Sequence, residues 1–377
     1  GSHDAFEQGA FEMKIQAAVV REKSGPFVME EIELEDPRPD EVIVRVVSAG
    51  ICHTDLIPRE QAIPAPFPAV YGHEGAGVVE NVGSQVTKLR AGDHVVMSFN
   101  SCGVCVPCKK GEISYCVDHF ASNFGFARFS DKSKTMRKGQ EVVHGAFFNQ
   151  SSFASHALGN ERTVVKIPTD VPLEIMGPLG CGIQTGAGAV LNSLHPHAGA
   201  SIAIFGGGSV GLSALLAAVA VGCTKVILVD VNEERLQFGK ELGATHTVNA
   251  ANENPVEAIQ RITGPGADFT LECSGNTKAF RQAIDAVALR GVCGIVGAPA
   301  FGTEVPVDVW GILLGRTVRG IVQGDSIPDL FIPRLIELYK QGRFPFDRLL
   351  TTYKLDQINV AVEDLKKGAI IKAVLHP

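Results

Sequence analysis

No basic run in this chain exceeds two residues, as at Lys109-Lys110 and Lys366-Lys367. A nucleic-acid binder needs a cationic stripe to neutralise phosphates. Here the balance runs the other way, 34 Lys+Arg against 41 Asp+Glu, for a net charge of −7. An uninterrupted apolar run of the ~20 residues that a membrane span requires is also missing. The most apolar stretch, 201–230, is broken by Gly206, Gly207, Gly208, Gly211 and Gly222. No secretory signal, internal repeat or low-complexity tract is visible, so a cytoplasmic chain without nucleic-acid or membrane partners is expected. Charged residues are only 20% and hydrophobic ones 45%, which excludes disorder. At ~150 residues per domain, 377 residues imply two or three domains. Gly1-Ser2-His3 is read as an expression scar ahead of a native start at Met13, so His3 is set aside.

The apolar residues that are present come in two textures. From Ile15 to Val47, short β-branched runs such as 41–47 are punctuated by Pro37 and Pro39, predicting a mostly β region that continues to Met97. From Ser201 onward, apolar runs alternate with glycine turns and helix-period stretches. The runs are 201–205, 225–229, 246–248, 269–273, 292–296 and 317–322, and six strands alternating with helices describe an α/β, doubly wound parallel sheet. Residues 117–150 read as a long loop. The stretch after Ile327, helical from 329 to 341 and then mixed, lacks βαβ texture and is assigned back to the N-terminal domain.

Strand 201–205 leads into Gly206-Gly207-Gly208-Ser209-Val210-Gly211 and then an Ala-rich helical stretch, a G-x-G-x-x-G in its required strand-to-helix setting. Gly206 permits the tight turn, Gly208 lets a pyrophosphate approach the backbone, and Gly211 lets helix and sheet close up, with Val210 in the first helical turn. Asp230 closes the second strand at the spacing expected of a ribose-binding carboxylate. Its charge would repel a 2′-phosphate, which predicts NAD rather than NADP. Arg235 and Lys372 are candidates for the phosphates or the adenosine side, or else solvated surface charges.

Four of the nine cysteines, Cys102, Cys105, Cys108 and Cys116, fall within fifteen residues. Four thiolates close a tetrahedral zinc shell with no position left for substrate, which makes a structural site. An iron–sulfur cluster begins with similar spacing, although Val117 stands where such runs carry proline. A metal-free set of surface thiols is the third reading. Cys52-His53-Thr54-Asp55 and Gly72-His73-Glu74 each follow a predicted strand. Singly, Cys52 and His73 read as packed core residues. Joined by Cys181, they would form an open site of two thiolates and one imidazole, the arrangement that the general rules of zinc chemistry give for alcohol dehydrogenase itself.

The series Gly72-His73-Glu74-x2-Gly77-x5-Gly83-x2-Val86, the four-cysteine lobe, Gly180-Cys181-Gly182 and the glycine turn come in this order. Together they resemble the zinc-containing alcohol dehydrogenases of the medium-chain dehydrogenase/reductase family, over essentially the whole chain after Met13. The run 180–188 and Phe344-Pro345-Phe346-Asp347 look most like the bacterial aryl-alcohol (benzyl-alcohol) dehydrogenases. The resemblance implies a mostly β GroES-like catalytic domain over 13–182, to which 323–377 returns, and a six-stranded NAD-binding Rossmann domain over 183–322. It implies NAD and two Zn²⁺ ions per chain, one catalytic and one structural, and a homodimer or homotetramer paired through the cofactor domains. Cys52, His73 and Cys181 become catalytic-zinc ligands, and Glu74 a carboxylate that approaches the metal transiently. Asp55 orients His73, and Thr54 takes the substrate's proton. His53 and Lys372 fall at positions contacting the pyrophosphate, and Thr185 and Val296 at positions near the nicotinamide. One departure stands out: Ile57 occupies the place of a histidine that finishes a proton relay in many animal members.

The expected substrate is an aromatic or allylic primary alcohol, interconverted with its aldehyde. Twenty phenylalanines against four tyrosines and one tryptophan leave room for an apolar pocket near Phe99, Phe120, Phe124, Phe126, Phe147, Phe148 and Phe153, although most are expected to be ordinary core. Rival readings are a polyol or glutathione-adduct dehydrogenase of the same family, against which Cys181 and Ile57 weigh. The other rival is a non-catalytic zinc- and NAD-binding redox sensor, which would be expected to have lost at least one of the three ligands.

Overall fold

The computed structural model describes residues 10, 11 and 13–377, so the opening Gly1-Ser2-His3 lies outside the described residues. The chain divides into two compact units, 1–181 with 350–377, and 182–349. In the first unit one sheet has the strand order Ala69–Val70, Met13–Val20, Val28–Leu34, Met136–Lys138, Glu141–Val143. The second sheet is organised about Glu41–Gly50, whose β-branched run is buried on both faces except at Arg45 and Val47. That strand pairs with Gly75–Val82, His156–Asn160 and Lys372–His376. The last pairing, Val374 opposite Gly50 and Leu375 opposite Ala49, brings the end of the chain into the N-terminal unit.

The segment 117–150 differs from the long loop expected. It contains the helix His119–Asn123 and the hairpin Met136–Lys138/Glu141–Val143, which extends the first sheet at Leu34. Buried Arg128 pins it, its guanidinium 2.6 Å from Glu35 and 2.9 Å from Glu41. These two carboxylates lie some ninety residues earlier, and local sequence carries no sign of such pairing.

The second unit holds six parallel strands, β1 (Ser201–Phe205), β2 (Lys225–Asp230), β3 (His246–Asn249), β4 (Ala267–Glu272), β5 (Val287–Ile295) and β6 (Thr317–Gly320). Their order is β3-β2-β1-β4-β5-β6, with the order reversing beside β1 as in dinucleotide-binding sheets. All six predicted runs are strands. The fifth starts five residues earlier than predicted because the polar Arg290, at φ +66°, interrupts its apolar pattern.

The return to the first unit comes at Leu350 rather than at 323. Helix Pro328–Lys340 buries Phe331, Ile332, Leu335 and Ile336 and packs against Gly182–Gly188. Burial of each such side chain is worth about 1.5–3 kcal/mol, which holds the helix in the second unit. Among the described residues no helix is long and apolar enough to cross a membrane.

Candidate active site

Strand Glu41–Gly50 delivers Cys52 to the N-cap of a one-turn helix, His53–Leu56. Asp55 in that turn is fully buried, with Oδ2 accepting from the Cys52 N–H at 2.9 Å. Its Oδ1 accepts from the Gly72 N–H at 3.1 Å and lies 2.6 Å from Nδ1 of His73. Asp55 thus fixes the ring through Nδ1 and leaves Nε2 as the nitrogen that would meet a metal. That Nε2 is buried with no hydrogen-bond partner. Cys181 enters from the turn Gly177–Gly180, anchored where Ser98 Oγ donates to Gly180 O at 2.8 Å.

One ligand atom each from Cys52, His73 and Cys181 lies within 4.8 Å of the others. Two thiols and an orphaned imidazole nitrogen are the donor set of an open zinc site. Cys181 donates to Cys52 and holds its thiol well below the ordinary range, while that hydrogen bond and burial push Cys181 well up. Burial pushes the His73 imidazolium down, but Asp55 outweighs it and brings the ring up to about 10.

Glu74 is not in this three-residue set. It is fully buried and faces Lys372 Nζ, 2.6 Å from Oε2. Lys372, expected at the cofactor phosphates with a solvated charge as the alternative, is only 2% exposed. Burial raises the Glu74 carboxyl despite the ammonium. Glu74 in turn more than offsets the burial of Lys372 and holds its ammonium up. His53 is exposed and Thr54 half-buried on the turn that carries Cys52.

Cys102, Cys105, Cys108 and Cys116 form a second group, again with ligand atoms within 4.8 Å of one another. Backbone N–H groups point at the sulfurs, Cys102 N to Cys116 Sγ at 3.2 Å and Cys105 N to Cys102 Sγ at 3.4 Å. Such donors favour thiolates, and those of Cys108 and Val117 hold the Cys105 thiol down to about 6. Burial pushes Cys116 up to about 12. Four sulfurs gathered around one point fit a single closed tetrahedral zinc ion.

In the second unit, Gly206 takes φ +108°, open to glycine. A Cβ on Gly211 would fall 1.7 Å from Gly206 O, so only glycine lets the helix Ser209–Val221 start there. Val210 lies half-buried in its first turn, and space is open around Gly208. The Gly207 peptide is held from both sides, its N–H donating to Asp230 Oδ2 at 2.7 Å and its carbonyl accepting from Arg235 Nη1 at 3.0 Å. Asp230 Oδ1 accepts from the N–H groups of Val231 and Asn232.

A cavity of about 310 Å³ adjoins Asp230 and Gly206, with Ser274, Asn276 and Lys278 on its other side. Sequence reading missed these three. The available signal was topological, since they follow β4, neighbour of β1 at the point where the strand order reverses. Thr185 and Val296 are half-buried; Thr185 Oγ1 donates to Gln323 Oε1 at 3.3 Å, and the Val296 N–H donates to Glu272 O at 2.9 Å.

Residues 38–169 match the alcohol dehydrogenase GroES-like domain and 209–341 the zinc-binding dehydrogenase family. The geraniol dehydrogenase of Castellaniella defragrans is 46% identical over 362 residues, 96% of this chain and 97% of that protein. A crystal structure of an alcohol dehydrogenase zinc-binding domain protein from Burkholderia ambifaria superposes with a TM-score of 0.95 at 51% identity, covering 97% of this chain and 99% of that one. Benzyl alcohol dehydrogenase from Acinetobacter calcoaceticus does so at 0.93 and 45%, with the same coverage. Two zinc-ligand groups and a dinucleotide turn on such a chain have one common reading: it belongs to the zinc-containing alcohol dehydrogenases of the medium-chain dehydrogenase/reductase family, enzymes using catalytic and structural zinc and a nicotinamide cofactor.

Proposed function

We propose that the enzyme interconverts an aromatic or allylic primary alcohol and its aldehyde with NAD. The observation that carries this reading is the aromatic surface against the His73 ring. Phe148 lies 4.5 Å from it, tilted 31°, and Phe147 stands edge-on at 5.8 Å. Phe124 packs on both at 5.2–5.4 Å, and Phe120 continues the row at 5.7 Å. Phe99, Phe126, Phe147, Phe148 and Phe153 are buried core, while Phe124 is half-buried and Phe120 is 55% exposed. Of these rings Phe124 and Phe120 are the ones open to a substrate, and they favour flat, apolar molecules over polyols. The names of the geraniol and benzyl alcohol dehydrogenases, one allylic and one aromatic, agree with it.

Zinc held by Cys52, His73 and Cys181 supplies Lewis acidity that lowers the pKa of an alcohol hydroxyl toward neutrality. The chain's own groups do the rest. Asp55 holds the His73 ring by Nδ1 so that Nε2 faces the site, and Thr54 receives the substrate's proton through its hydroxyl. Ile57 has no group that titrates or relays a proton, so no side chain at that position continues the path beyond Thr54. His53 would hold the pyrophosphate, and Thr185 and Val296 would border the nicotinamide. Asp230 selects NAD, because a 2′-phosphate would bring like charge against its carboxylate.

Self-association through the second unit is supported by β6, an edge strand whose four residues are all exposed. The segment before it exposes Phe301, Val309, Trp310 and Leu313 by 65–78%. Nine unpaired cysteines fit a reducing cytoplasm.

The deciding experiment is a panel of benzyl, cinnamyl, geranyl, ethyl and polyol substrates with NAD and with NADP. Benzyl, cinnamyl and geranyl alcohols with NAD should show the highest kcat/KM. A preference for polyols would refute the substrate assignment, and equal use of NADP the role of Asp230.

A further inference from the structure

The carboxylate of Glu272, at the end of β4, is completely buried, and no ion-pair partner is found for it among the described residues. A charge so placed needs dense hydrogen bonding. Here the donors all come from Ser274 and Gly275. Oε1 accepts from the Ser274 N–H at 2.7 Å, from the Ser274 hydroxyl, and from the Gly275 N–H at 3.1 Å, and Oε2 lies 3.1 Å from that same N–H.

The main chain of Glu272 is engaged in the opposite direction. Its carbonyl accepts from the N–H groups of Val296 and Gly297 at 2.9 and 3.0 Å, just past the end of β5. Gly297 lies so close that a Cβ there would stand 2.5 Å from Glu272 Oε2 and 2.2 Å from Gly275 N. The 274–275 turn and the 296–297 segment are thus bound to one residue and packed against each other.

Both segments border cofactor positions. Ser274 and Asn276 line the cavity that also holds Asp230 and Gly206, and a Cβ on Gly206 would be only 3.2 Å from Ser274 N. Val296 is the residue placed beside the nicotinamide. Resting on that assignment of the two ends, we propose that Glu272 is a positioning residue for the dinucleotide, setting the adenosine-side rim and the nicotinamide-side strand end in one register without touching the cofactor.

A neutral amide at 272 that keeps its oxygen toward Ser274 loses the charge and sets an NH2 against the Gly275 N–H, which lets the two segments part. The test uses the zinc-loaded full chain and NADH titrated by fluorescence, with kcat, KM for NAD and KM for the alcohol measured alongside. Glu272→Gln should weaken NADH binding about tenfold or more, the scale of a lost charge-assisted hydrogen bond. The KM for NAD should rise in step, while kcat at saturating NAD and the KM for the alcohol stay within about twofold.

Gly297→Ala, which presses on the same junction from the other segment, should reproduce that split. Ser274→Ala removes one donor and leaves the charge satisfied by the backbone. It should give a severalfold loss, and it carries the test if the other two variants do not fold. Unchanged NADH affinity in the folded variants, or an equal loss in alcohol KM and kcat, overturns the proposal. Asp230→Gly separates the two levels. If it alters NADH affinity while the Glu272 and Ser274 variants do not, only the positioning role fails. If none of them does, the cavity is not the dinucleotide site and the proposal falls with it.

Discussion

Asp55 and His73 are joined at 2.6 Å between Oδ1 and Nδ1, and the other oxygen of the same carboxylate takes the Cys52 N–H at 2.9 Å. One buried side chain therefore fixes the ring of one proposed zinc ligand and the backbone of another. Asp55→Asn keeps the shape but loses the charge that stabilises the ring orientation. Zinc affinity at that site should fall roughly 10–100-fold. Dialysis against a graded chelator series should strip one zinc early and leave the second in place.

Loading of the catalytic site should depend steeply on pH. Without metal at pH 7, His73, raised to about 10, and Cys181, raised well above its ordinary value, both hold protons, whereas the hydrogen bond from Cys181 lowers Cys52 well below its ordinary value. Zinc displaces both protons, so raising the pH favours the metal-bound form. About two protons should be released per catalytic zinc at pH 7. Apparent affinity should then climb by about two decades per pH unit, until the groups titrate in the apo protein. Proton release measured with an indicator during zinc titration checks the number, and release of none would contradict the protonation states assigned here.

The two metal groups should fail differently. Cys105→Ala opens the closed four-sulfur site, and the melting temperature should fall on the order of 10 °C. Cys181→Ala should abolish turnover while one zinc per chain remains. Elemental analysis of the parent should return two zinc ions, and iron with acid-labile sulfide would contradict the closed zinc site.

Proton transfer should centre on Thr54. Thr54→Val should slow single-turnover hydride transfer roughly 10²-fold, the lower range for loss of a proton-transfer group. Ile57→Ala should change it little. Ile57→His should add a titrating step near ~6.5 to the pH profile. An active Thr54→Val enzyme with an unchanged pH profile would show that the proton leaves elsewhere.

The parts of this molecule that are legible in sequence are those in which neighbouring residues act together. The turn Gly206–Gly211, the cysteine quartet and the six parallel strands each lie in one short segment, and the structure keeps them together. Cys52, His73 and Cys181 are far apart in sequence, and family resemblance rather than spacing brought them together. The pair Glu74–Lys372 spans 298 positions, and Arg128 reaches back to Glu35 and Glu41. No periodicity marks such contacts. Glu272 was passed over because a lone acidic residue ending a strand looks like any other. The boundary misplaced at 323 came from taking Pro328–Lys340 by its lack of strands rather than by the apolar stripe it must bury.

The order of synthesis adds a consequence of the strand Lys372–His376. A ribosome releases the chain from the N-terminus, so the inserted unit, 182–349, has its entire sequence available before the first unit does. Until the final residues emerge, Glu41–Gly50 lacks its partner at Ala49 and Gly50. Glu74 lacks the Lys372 ammonium that faces it in the folded chain. The nascent first unit therefore carries an open β edge through most of translation, the state in which strand edges invite aggregation. Truncation by even the last six residues should act less like trimming a tail than like halting the chain in that intermediate.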